Sequence, residues 1–343
     1  MPQKDEGRAL GAETSERAPP ASPWLRIFAV QDVLMIAYLL VVWRLVWGAT
    51  GSEQDTCSRL VYLCLGAIVL GCWIARGTRA IPYSVRWTVY RLALAGVLLE
   101  NYLMLRLLLP LVRPDQVDEE LYQLDLRLFG VEPALWLERL NQRPIIEYFS
   151  FFYFSYFFIC ATYLITVVVL SKGGRRTAEF AVGTLIVFCF GQLGYMSVPA
   201  VGPIRYLASH FNGPLNGGFF WGCVSATVEA GSAMKDVFPS LHTAVPTWFT
   251  YFSFQQAKTD PRWKWPARTI GFFAANIIFS TMLLRWHYAV DVIAGLCLAT
   301  TAGVLTPRIV RWEERMRARH GLSIPWVFER RSPDRGPRRA LRL

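Results

Sequence analysis

Charge is scarce in this sequence. Of 343 residues only 18% are charged, against 53% hydrophobic, and the mean hydropathy is +0.29. That balance counts against an ordinary soluble domain and favours a membrane protein. Histidine is scarcer still, with four residues in the whole chain. The seven cysteines include no CxxC pair and no metal-ligand spacing. Cys64, Cys72, Cys160, Cys189 and Cys297 fall in apolar stretches and read as small core residues, whereas Cys57 and Cys223 fall in loops placed on the same side, which leaves a disulfide between them open. No internal repeat is visible. Residues 1–25 are polar and lead into no short apolar core with a cleavage site, so no signal peptide is expected.

What is present is a series of apolar stretches long enough to cross a ~30 Å hydrocarbon layer. Eight spans are expected, at about 27–48, 58–75, 88–112, 145–170, 178–198, 237–256, 268–285 and 287–306. The last two form one apolar run that Arg285-Trp286-His287-Tyr288 interrupts; these residue types prefer the interface, so the run reads as two helices joined by a tight turn. Cations then alternate between loops. Arg76, Arg79 and Arg86 follow the second span, Lys172, Arg175 and Arg176 the fourth, and Lys258, Arg262, Lys264 and Arg268 the sixth, while eleven Arg lie between Arg308 and Arg342. The intervening loops hold few cations or an excess of acids: segment 114–144 carries Asp115, Asp118, Glu119, Glu120, Asp125, Glu132 and Glu138. The positive-inside rule places both termini in the cytoplasm. The net charge of +11 reflects attraction to anionic lipid rather than to nucleic acid, and no nucleic-acid partner is expected.

Between spans, 114–144 shows apolar residues at helical spacing (Val117, Leu121, Leu124, Leu128) and reads as amphipathic helix on the outer surface. Segment 199–223, rich in Gly and Pro, reads as loop without regular structure. The fold class is therefore an all-α, polytopic transmembrane helical bundle. Its expected parts are a disordered N-terminus (1–26), two accessory spans (27–87), a six-span core (88–306) and a basic tail (307–343).

Two histidines sit in sharp contexts at the same expected depth. His242 lies in Phe238-Pro239-Ser240-Leu241-His242-Thr243, and His287 lies four residues before Asp291. On a helix that spacing puts imidazole and carboxylate on one face, and the carboxylate would fix the tautomer of the ring. Arg285 adds a cation suited to holding an oxyanion. Pro239 and Ser240 would open a helix whose free N–H groups favour anions. A nucleophile, an acid and oxyanion donors together suit phosphoryl transfer. No Ser or Cys has an evident base beside it, so acyl transfer fits less well. Zinc stays open, since His242, His287 and Asp291 could supply three ligands.

Pro239-Ser240-Leu241-His242 and Ser280-x6-His287-Tyr288-x2-Asp291 resemble the second and third signature motifs of the type 2 phosphatidic acid phosphatase superfamily. The form His-Tyr-x-x-Asp-Val-x-x-Gly from His287 to Gly295 is most similar to its inositol phosphorylceramide synthase-like and sphingomyelin synthase-like branch, as is Asp125-x2-Leu128-Phe129-Gly130. The resemblance covers about 88–306. It implies that His287 attacks phosphorus to form a phosphohistidine, that Asp291 orients it, and that His242 protonates the leaving oxygen, with no cofactor. The substrate implied is a phospholipid or lipid phosphate in the bilayer, met on the non-cytoplasmic face. The membrane would be the plasma membrane in a bacterium or a secretory-pathway membrane in a eukaryote. The family's first motif, Lys-x6-Arg-Pro, is here Tyr195-x6-Gly202-Pro203, and its Ser-Arg is Ser280-Thr281. Arg205 and Arg285 are the candidate replacements for the missing cations, with Ser240 and Ser280 as further phosphate-binding candidates. Fewer cations favour a phosphodiester donor and transfer over a monoester and hydrolysis.

Other readings remain. A His-Asp proton relay would make the chain a transporter, and the missing cations admit a lipid-binding relative without catalysis. The aromatic run Phe151-Phe152-Tyr153-Phe154 with Tyr156-Phe157-Phe158 reads as lipid contact and packing. Glu100, Asn101 and Arg106 read as intramembrane pairing partners. Oligomeric state is left open.

Overall fold

The computed structural model describes residues 22–78, 80–171, 173–231, 235–323 and 326. Of the N-terminus expected to be disordered (1–26), residues 1–21 lie outside the described residues and Pro23–Ile27 forms a short helix; of the basic tail (307–343), residues 324, 325 and 327–343 lie outside them, and helix continues as far as Arg319. Among the described residues the chain is helical, with no strand beyond a single bridge between Ala200 and Asp236. The main helices are α1 (Val30–Gly48), α2 (Gln54–Gly77), α3 (Tyr83–Val112), α4 (Asp118–Phe129), α5 (Arg143–Val169), α6 (Arg175–Ser197), α7 (Phe219–Gly231), α8 (Leu241–Ala257), α9 (Lys264–Leu283) and α10 (Ala289–Arg319).

Six of these, α1, α2, α3, α5, α6 and α10, are long and apolar enough to cross a membrane. The expected spans at 237–256 and 268–285 form helices, α8 and α9, but they do not meet that measure. α8 has only 17 residues, and buried Ser, Thr and Gln side chains face its neighbours, as suits a helix enclosed by protein rather than by lipid.

The loops sort into two ends. At one end Val117 N donates to Pro199 O (2.9 Å), Lys235 Nζ donates to Arg113 O (3.0 Å), and Arg285 pairs with Glu138. At the other, Val30 N donates to Glu313 (3.1 Å), Arg317 donates to the Leu25 and Phe28 carbonyls, and Arg176 pairs with Asp260. The residues that flank the bundle near both termini thus share one end. There Asp32, fully buried, accepts from Arg76 (2.7 Å), Tyr90 (2.5 Å) and Ala29 N (2.8 Å), fastening α1, α2 and α3 together.

Close helix approach positions α8 at the centre of the bundle. A Cβ on Gly183 of α6 would lie 2.1 Å from the Trp248 ring, and one on Gly295 of α10 would lie 2.5 Å from the Ser240 carbonyl. Only a residue without a side chain permits these contacts, the usual means by which membrane helices pack.

Segment 114–144 contains α4 and a short helix, Pro133–Leu137. Acids in the first turn (Asp118, Glu119, Glu120) and Gly130 at φ 74° bound α4 as the helix dipole and the left-handed cap require. Its orientation differs from a simple amphipathic reading. Leu121 faces inward with Asp118 and Asp125, whereas Leu124 and Leu128 are exposed. Residues 199–223, expected to lack regular structure, hold a helical turn at Pro203–Tyr206 and the start of α7. Glu147 of α5 caps α7 by accepting from Gly218, Phe220 and Trp221 N, so a long-range carboxylate builds a helix that local propensity does not announce.

Glu132 caps Pro133–Leu137 through Leu135 N (2.6 Å), is 1% exposed, and leaves its Oε1 without a partner. Burial pushes this carboxyl up to about 7, against the pull of its backbone hydrogen bonds. Because the folded value is raised, stability is fully present below the ordinary value of 4.5 and falls as pH climbs toward 7. At ~1.4 kcal/mol per pKa unit the fall amounts to up to about 3 kcal/mol. Glu132→Gln cannot ionise. Its melting temperature in detergent is expected to match wild type near pH 4.5 and to exceed it at pH 8; parallel curves across that range would contradict this.

Candidate active site

Both histidines of the sequence motifs reach one cleft at the end of the bundle that carries α4. Ser240 caps α8 by accepting from Thr243 N (3.3 Å), and His242 is the second residue of the helix. Pro239 stands one residue before the cap rather than in the first turn. His287 lies in the α9–α10 turn. Arg285 there adopts φ 65°, a conformation that a side chain disfavours, and the Trp286 and His287 amides both donate to Thr281 O (3.0 and 3.1 Å). Three contacts hold Arg285 in place: Glu138 at 3.1 Å, the Gly213 carbonyl at 2.8 Å, and the Phe211 ring centroid at 3.8 Å. Ser240 N donates to Asp291 O (3.0 Å), which joins the two histidine-bearing segments directly. The imidazole centroids are 6.1 Å apart.

His287 and Asp291 meet, but not in helical register. α10 begins at Ala289 with Tyr288 as its cap, so His287 precedes the helix and Asp291 is its third residue. Asp291 Oδ2 accepts from Tyr288 N at 2.8 Å and stands 3.5 Å from His287 Nδ1, close enough for charge to be felt but not hydrogen-bonded to it.

His242, His287, Arg205 and Asp236 line a narrow cleft of ≈ 60 Å³. Tyr102, Tyr153, Tyr156 and Tyr195 line it too, from α3, α5 and α6. Tyr153 stacks on the His242 ring at 4.4 Å and Tyr156 packs against it at 4.2 Å. These two tyrosines, read from sequence as lipid contact and packing, pack against an imidazole and orient it. Their signal was the hydroxyl: a tyrosine within an apolar span needs a polar neighbour, and a phenylalanine does not. Asp236 carried no comparable signal. Its place in the cleft depends on the Ala200–Asp236 bridge that joins two stretches of one long loop.

Of the other expected phosphate ligands, only Arg205 lines the cleft. Arg285 is turned toward Glu138 and Gly213, Ser240 is the cap of α8, and Ser280 Oγ donates to Ile277 O (2.6 Å) within its own helix. His242 Nε2, His287 Nδ1 and Trp286 Nε1, all buried and all from cleft-lining residues, meet no hydrogen-bonding partner in the protein. Among the described residues no three His, Cys, Asp or Glu side chains converge as metal ligands.

Neither a curated protein nor a solved structure matches this chain. A family profile does, over residues 119–305, from the second residue of α4 into α10. It takes in both histidine segments and leaves α3, with its cleft-lining Tyr102, outside. The match spans more than half of the sequence, and on it the chain belongs to the PAP2 superfamily, with the lipid-phosphatase-like function that membership carries.

Proposed function

We propose that the chain is an integral-membrane phosphotransferase that moves a phosphate headgroup from a lipid phosphodiester to a hydroxyl acceptor through a phosphohistidine on His287. The observation that carries this reading is two imidazoles 6.1 Å apart in one cleft with Arg205, a gap that one phosphate group can bridge at reacting distances of ~3 Å on each side. The His287 ring nitrogen attacks phosphorus as the bond to the lipid oxygen breaks, and His242, protonated, gives its proton to that leaving oxygen. In the second half the acceptor hydroxyl returns a proton to His242, forms the new P–O bond and frees His287. Asp291 steadies His287, and Arg205 with the tyrosine hydroxyls faces the phosphate oxygens.

Transfer is preferred over monoester hydrolysis on charge. Arg205 is the one Arg or Lys among the cleft-lining residues described, and Asp236 stands in the same lining. A carboxylate there opposes a dianionic monoester more than a monoanionic diester. The inositol phosphorylceramide synthase-like form of His287 to Gly295 agrees with such a donor. The basic end of the bundle is assigned to the cytoplasm with both termini, giving eight crossings and an active site on the opposite face.

His287→Ala is expected to lower turnover at least ~10⁴-fold. His242→Ala should lose ~10²–10⁴-fold with the natural lipid donor and far less with a nitrophenyl phosphodiester, whose leaving group needs no proton; equal losses on both would remove His242 as the acid. Arg205→Ala should reduce kcat/KM by ~10–100-fold, the worth of one charged hydrogen bond, while Arg285→Ala lowers the melting temperature with KM held near wild type. Purified enzyme offered diester and monoester lipids, with and without an alcohol acceptor, tests the reaction itself. Faster turnover of the monoester without acceptor would replace transfer by hydrolysis.

A further inference from the structure

Asp118 and Asp125 stand seven residues apart on α4, two turns along one face, 1% and 0% exposed. Neither lines the cleft. Asp118 instead holds two successive backbone N–H groups of a loop that does, and Asp125 holds two at the helix start that follows His287. Asp118 accepts from Val201 N (2.9 Å) and Gly202 N (2.8 Å), just before Arg205. Asp125 accepts from Ala289 N (2.7 Å) and Val290 N (3.0 Å), just after His287. The Tyr288 hydroxyl also donates to Asp118 (3.1 Å), so the two grips are linked. From this geometry we infer that Asp118 and Asp125 are positioning residues for phosphoryl transfer, and that α4 is a clamp setting the distance between Arg205 and His287. The inference rests on the proposed function and deepens it.

The chemistry explains why both positions are carboxylates. Two N–H groups converge on each side chain, and a carboxylate has two acceptor oxygens. An asparagine has nearly the same shape but one acceptor, and its NH₂ would face the second N–H, donor against donor. Water does not take the place of a lost acceptor cheaply at a buried site. The amides of Ala289 and Val290 belong to the first turn of α10, which has no intrahelical acceptor for them. A clamp acts on rate because reacting groups misplaced by about 1 Å cost ~10²-fold.

The two arms predict different kinetics. Asp125→Asn, which loosens the nucleophile, should lower kcat ~10–100-fold with KM within ~3-fold of wild type. Asp118→Asn, which loosens the Arg205 loop, should act mainly through a raised KM. Asp125→Glu keeps both acceptor oxygens and should retain more kcat than Asp125→Asn. Hydrogen exchange read on the same detergent-solubilised full chains tests the clamp without any substrate. Asp125→Asn should speed exchange at Ala289–Val290 and spare Val201–Gly202, and Asp118→Asn should do the reverse. Unchanged exchange at these amides, or kcat and KM per folded molecule at wild-type values in both Asn variants, would overturn the clamp. A wild-type protein that turns over no phosphorylated lipid would instead overturn the phosphoester reading, and the exchange measurement would still decide the clamp.

Discussion

A helix that begins inside a protein leaves its first N–H groups without acceptors, and the beginning of α10 is where the nucleophile candidate must be held still. Asp291 takes Tyr288 N and Asp125 takes the next two amides. Capping and placement of His287 are thus one set of bonds. The same economy recurs at Ser240, whose hydroxyl caps α8 while its amide reaches the Asp291 carbonyl. Two helix starts tied to each other bring two imidazoles together, and the long helices behind them serve to keep those starts at one depth.

That depth depends on packing. α8 can lie between α6 and α10 because Gly183 admits the Trp248 ring and Gly295 admits the Ser240 carbonyl. Trp248 Nε1 then finds Thr184 Oγ1 at 3.1 Å, so the largest side chain of the helix is satisfied as well as buried. The Gly295 contact sits one turn below Asp291 and directly against the capping residue of α8. A shift there would separate the histidine segments before it disturbed the rest of the bundle.

Much of this was legible before any coordinates. Apolar length marked the helices, the Arg285–Tyr288 interruption marked the α9–α10 turn, and loop charge separated the two ends, because these follow from local composition. The contribution of the partners was not legible. His287 and Asp291 were expected as neighbours on a helix face; the actual contact goes around an N-terminal cap, which spacing alone does not distinguish from helical register. Arg285 was expected on phosphate because it adjoins His287 in sequence. Its φ of 65° turns the side chain toward Glu138 and Gly213, loop residues whose place no periodicity fixes. Asp236 and the four tyrosines come from a loop and three helices and meet only in three dimensions. Span counting also reached its limit at α8, where burial inside the bundle relaxes the demand for continuous apolar sequence.

The substitutions at the family's first motif gain a meaning from this arrangement. Where the motif has Lys, Tyr195 lines the cleft; where it has Arg, Gly202 has φ 84°, with its amide donating to Asp118 and a Cβ excluded by the Trp286 carbonyl at 2.5 Å. No arginine could occupy that backbone position without moving the turn that carries His287. At this position the loop makes a close backbone contact with Asp118, and the cleft's cation, Arg205, stands three residues on. On the proposed reading, a cleft lined by Arg205 and Asp236, with no other Arg or Lys among the described lining residues, favours a substrate bearing one negative charge on phosphorus over one bearing two.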